Sequence, residues 1–260
     1  MLTATHASPR PHYGGLVWTL IRTDFKVRYH GTAAGFLWAL LKPLAIVLVL
    51  MGVFSFVFVN QPNYAVNLVI ALLLYEFFSE ATKTGLLSLR AKGFLLTKAK
   101  VPFWIIIITS IANALTTLSV VCAVFIMILS LKGPAPSATG LALLLLYVGH
   151  YSVMVIGISL ATSVLFLKYR DLHEVWDVIT HAGFFVAPIV YPLDVLPHRL
   201  HFYLYLWPPT PIIQFARAAV IDHQVPSLRA HLLLSFETAV ILLLGALIFR
   251  RYAPRAAEYL

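Results

Sequence analysis

From residue 103 to 131, and again from 139 to 167, the chain runs without one Asp, Glu, Lys or Arg. A helix needs about 20 apolar residues to cross a hydrocarbon layer about 30 Å thick, so these runs belong in a bilayer. The composition agrees. Of 260 residues, 60% are hydrophobic and 11% charged, with a mean hydropathy of +0.88, whereas soluble domains are roughly one-quarter charged. This predicts an all-α integral membrane protein with about six spans and no room for a separate soluble catalytic domain. The single cysteine, Cys122, excludes an intrachain disulfide framework and a cysteine-based metal site. The formal charge of +9 is accounted for by cytoplasmic loops rich in Lys and Arg, and no nucleic-acid partner is expected.

Read in order, the chain forms a single domain over 1–260. Residues 1–35 are a cytoplasmic lead, and no cleavable signal peptide is expected because the first long apolar run begins only near Phe36. Within the lead, 15–29 is helical in pattern. Val17, Trp18, Ile21 and Phe25 lie on one side and Arg22, Asp24 and Lys26 on another. This is an amphipathic helix of the headgroup layer or a cytoplasmic surface helix. Spans are expected over 36–59, 64–89, 103–131, 139–167, 175–191 and 231–249. Lys42, beside Pro43, lies two turns inside the first and can snorkel or face a polar lumen. Glu76, Glu80 and Lys83 share one face of the second span. Carboxylates at membrane depth rarely face lipid, so that face should look at protein or water, unless Glu80 and Lys83 form a structural pair near the inner surface. In the fourth span Gly149, Ser152, Gly157 and Ser159 permit close packing, and His150 reads as a hydrogen-bonded packing residue.

Two stretches stand apart from the spans. Residues 88–102 carry Arg90, Lys92, Lys98 and Lys100 around an apolar centre at 93–96, suited to docking on a partner or to adhering to the membrane surface. After the fourth span comes the charged elbow Lys168-Tyr169-Arg170-Asp171, followed by Glu174, Trp176 and Asp177. From Gly183 to Pro211 there are six prolines and no apolar run long enough to cross alone. Backbone that breaks at membrane depth must be sheltered by protein or line a cavity. The expectation is a fifth span ending near Tyr191 and a re-entrant outer gate region over 192–222, with Tyr203, Tyr205 and Trp207 at the interface. This topology puts 15 of the 19 basic residues on the cytoplasmic side, the exceptions being Lys132, Arg199, Arg217 and Arg229. It places both termini in the cytoplasm.

The chain has no G-x-x-x-x-G-K-[ST] phosphate loop, no metal-ligating constellation and no G-x-S-x-G elbow. Its halves do not read as the inverted repeat of a secondary carrier. It reads as a substrate-conducting subunit without a cofactor of its own, driven from elsewhere.

Four segments then carry a likeness: RTDFKVRYHGTAAGFLWALLKPL, KGFLLTKAKVP, FLKYRDL with APIVYPLDVLP, and PPTPIIQFAR. Together, and in this order, they resemble the ABC-2 type permeases that export polysaccharides. Two departures are Pro208-Pro209-Thr210-Pro211, where that family usually shows Asn-Pro, and Lys42, where it is more often apolar or Asn. The resemblance implies a homodimer in the bacterial plasma membrane. Two copies of a separate ATP-binding cassette subunit would hold ATP and Mg, and the cargo would be a lipid-linked glycan such as O-antigen. Exporters of teichoic acid, capsule or galactan, and of drugs or small lipids, are the neighbouring alternatives. A membrane-embedded glycan-modifying enzyme has only Asp194 and Asp222 as outer carboxylates. By position the resemblance assigns coupling to Arg90, Lys92, Phe94, Lys98, Lys168, Tyr169, Arg170, Asp171 and Glu174. Trp38, Tyr75, Phe77, Phe78, Phe184 and Phe185 would set aromatic faces toward the channel, where flat apolar rings slide along C–H-rich sugar faces. Pro188, Tyr191, Pro192 and Pro197 would form the outer gate. Arg22, Lys26 and Arg28 would meet a pyrophosphate or plain anionic headgroups at the inner leaflet.

Overall fold

The computed structural model describes residues 13–29, 35, 37–59, 61–95, 101–132 and 136–256, and its regular structure there is all helical. The helices are α1 (Tyr13–Tyr29), α2 (Leu37–Phe54), α3 (Tyr64–Ala91), α4 (Phe103–Lys132) and α5 (Ala138–Lys168). They continue with α6 (Leu172–Val186), α7 (His198–Tyr205), α8 (Pro209–Val220) and α9 (Leu228–Ala256), with a 3-10 turn at Leu193–Val195 before α7. Four of these, α3, α4, α5 and α9, are long and apolar enough to cross a membrane.

The boundaries shift where local chemistry overrides the apolar run. The helix expected over 36–59 ends at Phe54. The one expected over 175–191 starts at the elbow, at Leu172, and stops at Val186. Ala187 there is extended, with ψ 133°, as expected of a residue that precedes a proline. α9 exceeds the expected 231–249 at both ends, because a charged flank such as Arg250-Arg251 ends an apolar run without ending a helix.

At the centre stands α3. Residues 70–75 are buried without a break, and α2, α4, α5, α6 and α8 all pack against it. In a bilayer apolar burial supplies little drive between helices, so close backbone approach and hydrogen bonds must hold them. The α5–α9 seam shows both. A Cβ on Gly245 would strike the Gly157 carbonyl, and one on Gly157 would lie 2.8 Å from the Ile241 oxygen. Tyr147 Oη meets His231 Nε2 at 3.0 Å and His150 Nδ1 meets Thr238 Oγ1 at 3.1 Å. Gly149, expected to serve the same purpose, is exposed and has open space where its Cβ would be.

The α1 helix lies on α4, with Tyr13 edge-on to Trp104 at 6.3 Å. Leu16, Val17 and Leu20 reach the core, whereas Trp18 is 67% exposed. The expected face holding Val17 and Trp18 together therefore splits, since neighbours in a helix diverge by about 100°. An ion pair between Asp24 and Lys92 fastens α1 to the C-terminal end of α3.

Replacing Gly157 by Leu will therefore force α5 and α9 apart and cost about 3 kcal/mol, read as a lowered midpoint of thermal unfolding in detergent. Gly149→Leu will stay within about 0.5 kcal/mol of the parent. Equal effects of the two would refute this account of the seam.

Candidate functional site

α2, α3, α4 and α6 border a cleft of about 550 Å³. The stripe Glu76, Glu80 and Lys83 opens onto it because residues three and four apart share a helix face. Lys42 of α2 donates to Glu76 Oε1. Lys83 donates to Asp177 Oδ2 of α6 at 2.9 Å. Each flanking helix is thus joined to α3 by one lysine–carboxylate pair. The Lys42 and Lys83 side chains are 66% and 43% exposed, and pairs this open contribute about 0–1 kcal/mol. They set the charge and shape of the cleft more than its stability. α6 is held further by Trp176 Nε1, which donates to Thr82 Oγ1 at 3.0 Å, and by Tyr75 Oη, which donates to the Thr180 carbonyl.

Of the aromatics expected in a channel, Trp38 lines this cleft with 59% of its surface open, whereas Phe77 backs its wall, only 3% exposed and edge-on to Tyr151 at 5.5 Å. Phe185 is 74% exposed beside a shallow depression that also includes Glu174 and His181. Tyr75 and Phe78 belong instead to the interior of the protomer. Phe78 stacks on Tyr151 at 5.8 Å and 6° and takes the edge of Trp207 at 5.5 Å. Tyr75 meets Phe184 edge-on at 5.4 Å, and Phe184 is half-buried. The physical reason is the orientation of α3: its acidic stripe faces the cleft, which turns Tyr75 toward α6 and Phe78 toward α5. Gly183 makes room for Trp207, since a Cβ there would collide with the indole.

At the C-terminal end of α3, Arg90 lies over the Phe166 ring at 5.7 Å and so joins the start of the 90–94 segment to the end of α5. Lys92 lies between Asp24 and Thr109, and Phe94 is 61% exposed. Lys168 lies over Tyr169 at 5.1 Å. Tyr169, Arg170, Asp171 and Glu174 are exposed, Glu174 lying 3.3 Å from His173 Nδ1. Arg22 and Lys26 are exposed on α1. Lys98 and the Arg28 side chain lie outside the described residues.

The end of the molecule where α3 begins is organised by a residue whose role the sequence did not disclose. Arg217 of α8, 8% exposed, donates to the carbonyls of Asn67 at 3.1 Å, Pro188 at 2.7 Å and Ile189 at 2.9 Å. Two of these acceptors belong to the non-helical backbone after α6, where ladder partners are missing. Burial lowers the Arg217 pKa to about 10, which leaves it charged at neutral pH. Tyr191 Oη donates to the Phe185 and Val186 carbonyls, and Tyr64 Oη to Val190 at 2.8 Å. Pro192 and Pro197 stand immediately before the 3-10 turn and α7. The acceptors of Arg217 come from positions 67, 188 and 189, so no local pattern points to them.

Arg217→Met will orphan the Pro188 and Ile189 carbonyls and cost about 3 kcal/mol, seen as a lower melting midpoint. Arg217→Lys will recover only part of the loss, because an ammonium lacks the planar fork that spans separate acceptors. A methionine variant as stable as the parent would rule out the clasp.

A family model described as ABC-2 type transporter matches residues 15–221. The O-antigen export system permease protein RfbA of Klebsiella pneumoniae is 25% identical over 94% of this chain and 95% of its own length. The protein of the same name in Myxococcus xanthus is 23% identical over 95% of each chain. The polysialic acid transport protein KpsM of Escherichia coli is 25% identical over 89% of this chain and 91% of its own. With the family model covering most of its length, and its long apolar helices packed around one buried helix, this chain belongs to the ABC-2 type transporter family.

Proposed function

We propose that this chain is the permease subunit of an ATP-driven exporter that moves a lipid-linked, O-antigen-like polysaccharide across the bacterial plasma membrane. The observation that carries this reading is the likeness, over nearly the full length of both chains, to O-antigen export permeases. ATP and Mg belong to the partner subunit, since this sequence has no phosphate loop. Two copies of the chain assemble with two ATP-binding subunits. Charged groups at membrane depth avoid lipid, which is why a second copy facing the cleft suits its open side.

In this reading α2 and α6 are the remaining two spans of six, and both termini are cytoplasmic. At 1.5 Å per residue α6 reaches only about 22 Å, so it completes a crossing with the extended turn that follows it. The hairpin of α7 and α8 is re-entrant from the outer side. α6 then connects the two ends of the molecule. It begins at the exposed elbow 168–171, is fastened to α3 midway by Asp177 and Trp176, and ends at the backbone gripped by Arg217. ATP binding in the partner pushes on 90–100 and 168–174, Arg90 on Phe166 makes these segments move together, and α6 carries the motion to the outer turn around Pro188, Tyr191, Pro192 and Pro197. Trp38 and Phe185 supply the aromatic surfaces along which sugar rings slide, with Phe77 and Phe184 behind them. Arg22, Lys26 and Arg28 meet the pyrophosphate of the carrier lipid or the anionic headgroups around it. The polysialic acid relative favours a second reading, export of a capsular polysaccharide.

Deleting the gene will remove the glycan from the cell surface and leave lipid-linked polymer inside, seen on gels of fractionated cells; an unchanged surface glycan would refute export. Replacing Arg170 and Asp171 together by Ala will abolish surface glycan while the protein remains in the membrane. Normal export by that variant would remove the elbow from the coupling path.

A further inference from the structure

Both lysines of the cleft are engaged, Lys42 by Glu76 and Lys83 by Asp177. Among the described lining residues these are the only Lys or Arg side chains, and Glu80 adds a third carboxylate. The remaining titratable group, His181, has Nδ1 2.6 Å from the Asp177 carbonyl oxygen, an acceptor to which it donates. A cleft of this make-up contains many donors and acceptors and no cation without a carboxylate beside it.

We infer that this cleft selects an uncharged, hydroxyl-rich glycan and turns away a polyanionic one. The inference rests on the polysaccharide-export reading and decides between its two cargoes. An ammonium has three N–H donors and a carboxylate several acceptor positions, so each pair keeps capacity after its members have met. A sugar hydroxyl both donates and accepts. It bridges the lysine and the carboxylate of one pair without parting them, while the open face of Trp38 receives the apolar side of the ring. A sugar bearing a carboxylate offers that group only as an acceptor. Whether it shares a lysine with Glu76 or Asp177 or displaces one of them, it brings a second negative charge up against a carboxylate already there. Like charges brought together in this way act as a device of rejection, and a polyanion meets it at every repeat. Lys42 is central to the selection: without it Glu76 would have no partner on α2, and without Glu76 it would be a bare cation on the cargo path.

The test uses the full chain in phosphatidylcholine nanodiscs, titrated with fluorescent oligomers of mannose and of sialic acid of equal length and read by anisotropy. The mannose oligomer will bind, and the sialic acid oligomer will bind at least about tenfold more weakly. Glu76→Gln frees Lys42 and Asp177→Asn frees Lys83. In each variant that runs as monodisperse protein the mannose-to-sialic-acid affinity ratio will fall by about tenfold, and less at high salt. Equal or tighter binding of sialic acid by the parent overturns the inference and leaves polysaccharide export standing, as does a ratio unmoved in both variants. Binding of neither oligomer by the parent overturns the inference together with the export reading.

Discussion

The burial of α3 is the constraint on which the remainder of the molecule depends. A helix whose residues 70–75 are all covered has no face to give to lipid, so it needs neighbours on every side. Five helices supply them. Four of them are each held by a different short-range device: α5 by ring stacking of Tyr151 on Phe78, α6 by hydrogen bonds through Trp176 and Tyr75, α2 by the Lys42–Glu76 pair, and α8 through the guanidinium of Arg217. The one side of α3 not closed by apolar contact is its acidic stripe, and there the cleft forms.

The polar groups are arranged with the same economy. Lys83 and Asp177 come from helices far apart in sequence, as do Asp24 and Lys92 and the partners of Arg217. The α6 helix is fastened along its length rather than buried, with only Thr180 and Gly183 among its buried residues. An element pinned by a few directional contacts can rock as a unit, whereas α3 cannot move without disturbing five interfaces. This contrast is what supports the part proposed for α6 in coupling, with α3 as the fixed element.

The likeness between residue pattern and structure was closest for the long elements. The uncharged runs at 103–131 and 139–167 mark α4 and α5 to within a residue, because apolarity over that length has one economical solution in a bilayer. The helix stripe Glu76, Glu80, Lys83 was equally legible, since helical spacing alone puts these groups together. Ends of elements were less so. The fifth span was expected over 175–191, but α6 stops at Val186 ahead of Pro188, and its start at Leu172 depends on the elbow folding as a turn. Trp18 and Gly149 were assigned by type to faces that the packed helices do not use.

By itself, then, the sequence determined the class of the molecule, its helices, its missing phosphate loop and the acidic side of α3, all of which follow from composition and local periodicity. Tertiary structure alone decided which lysine meets which carboxylate, which of Tyr75, Phe77 and Phe78 turn inward, and which carbonyls Arg217 holds. The reason is physical: periodicity states which residues share a face, but rotation of a helix about its axis is set by its neighbours, and those contacts join residues as far apart as 67 and 217.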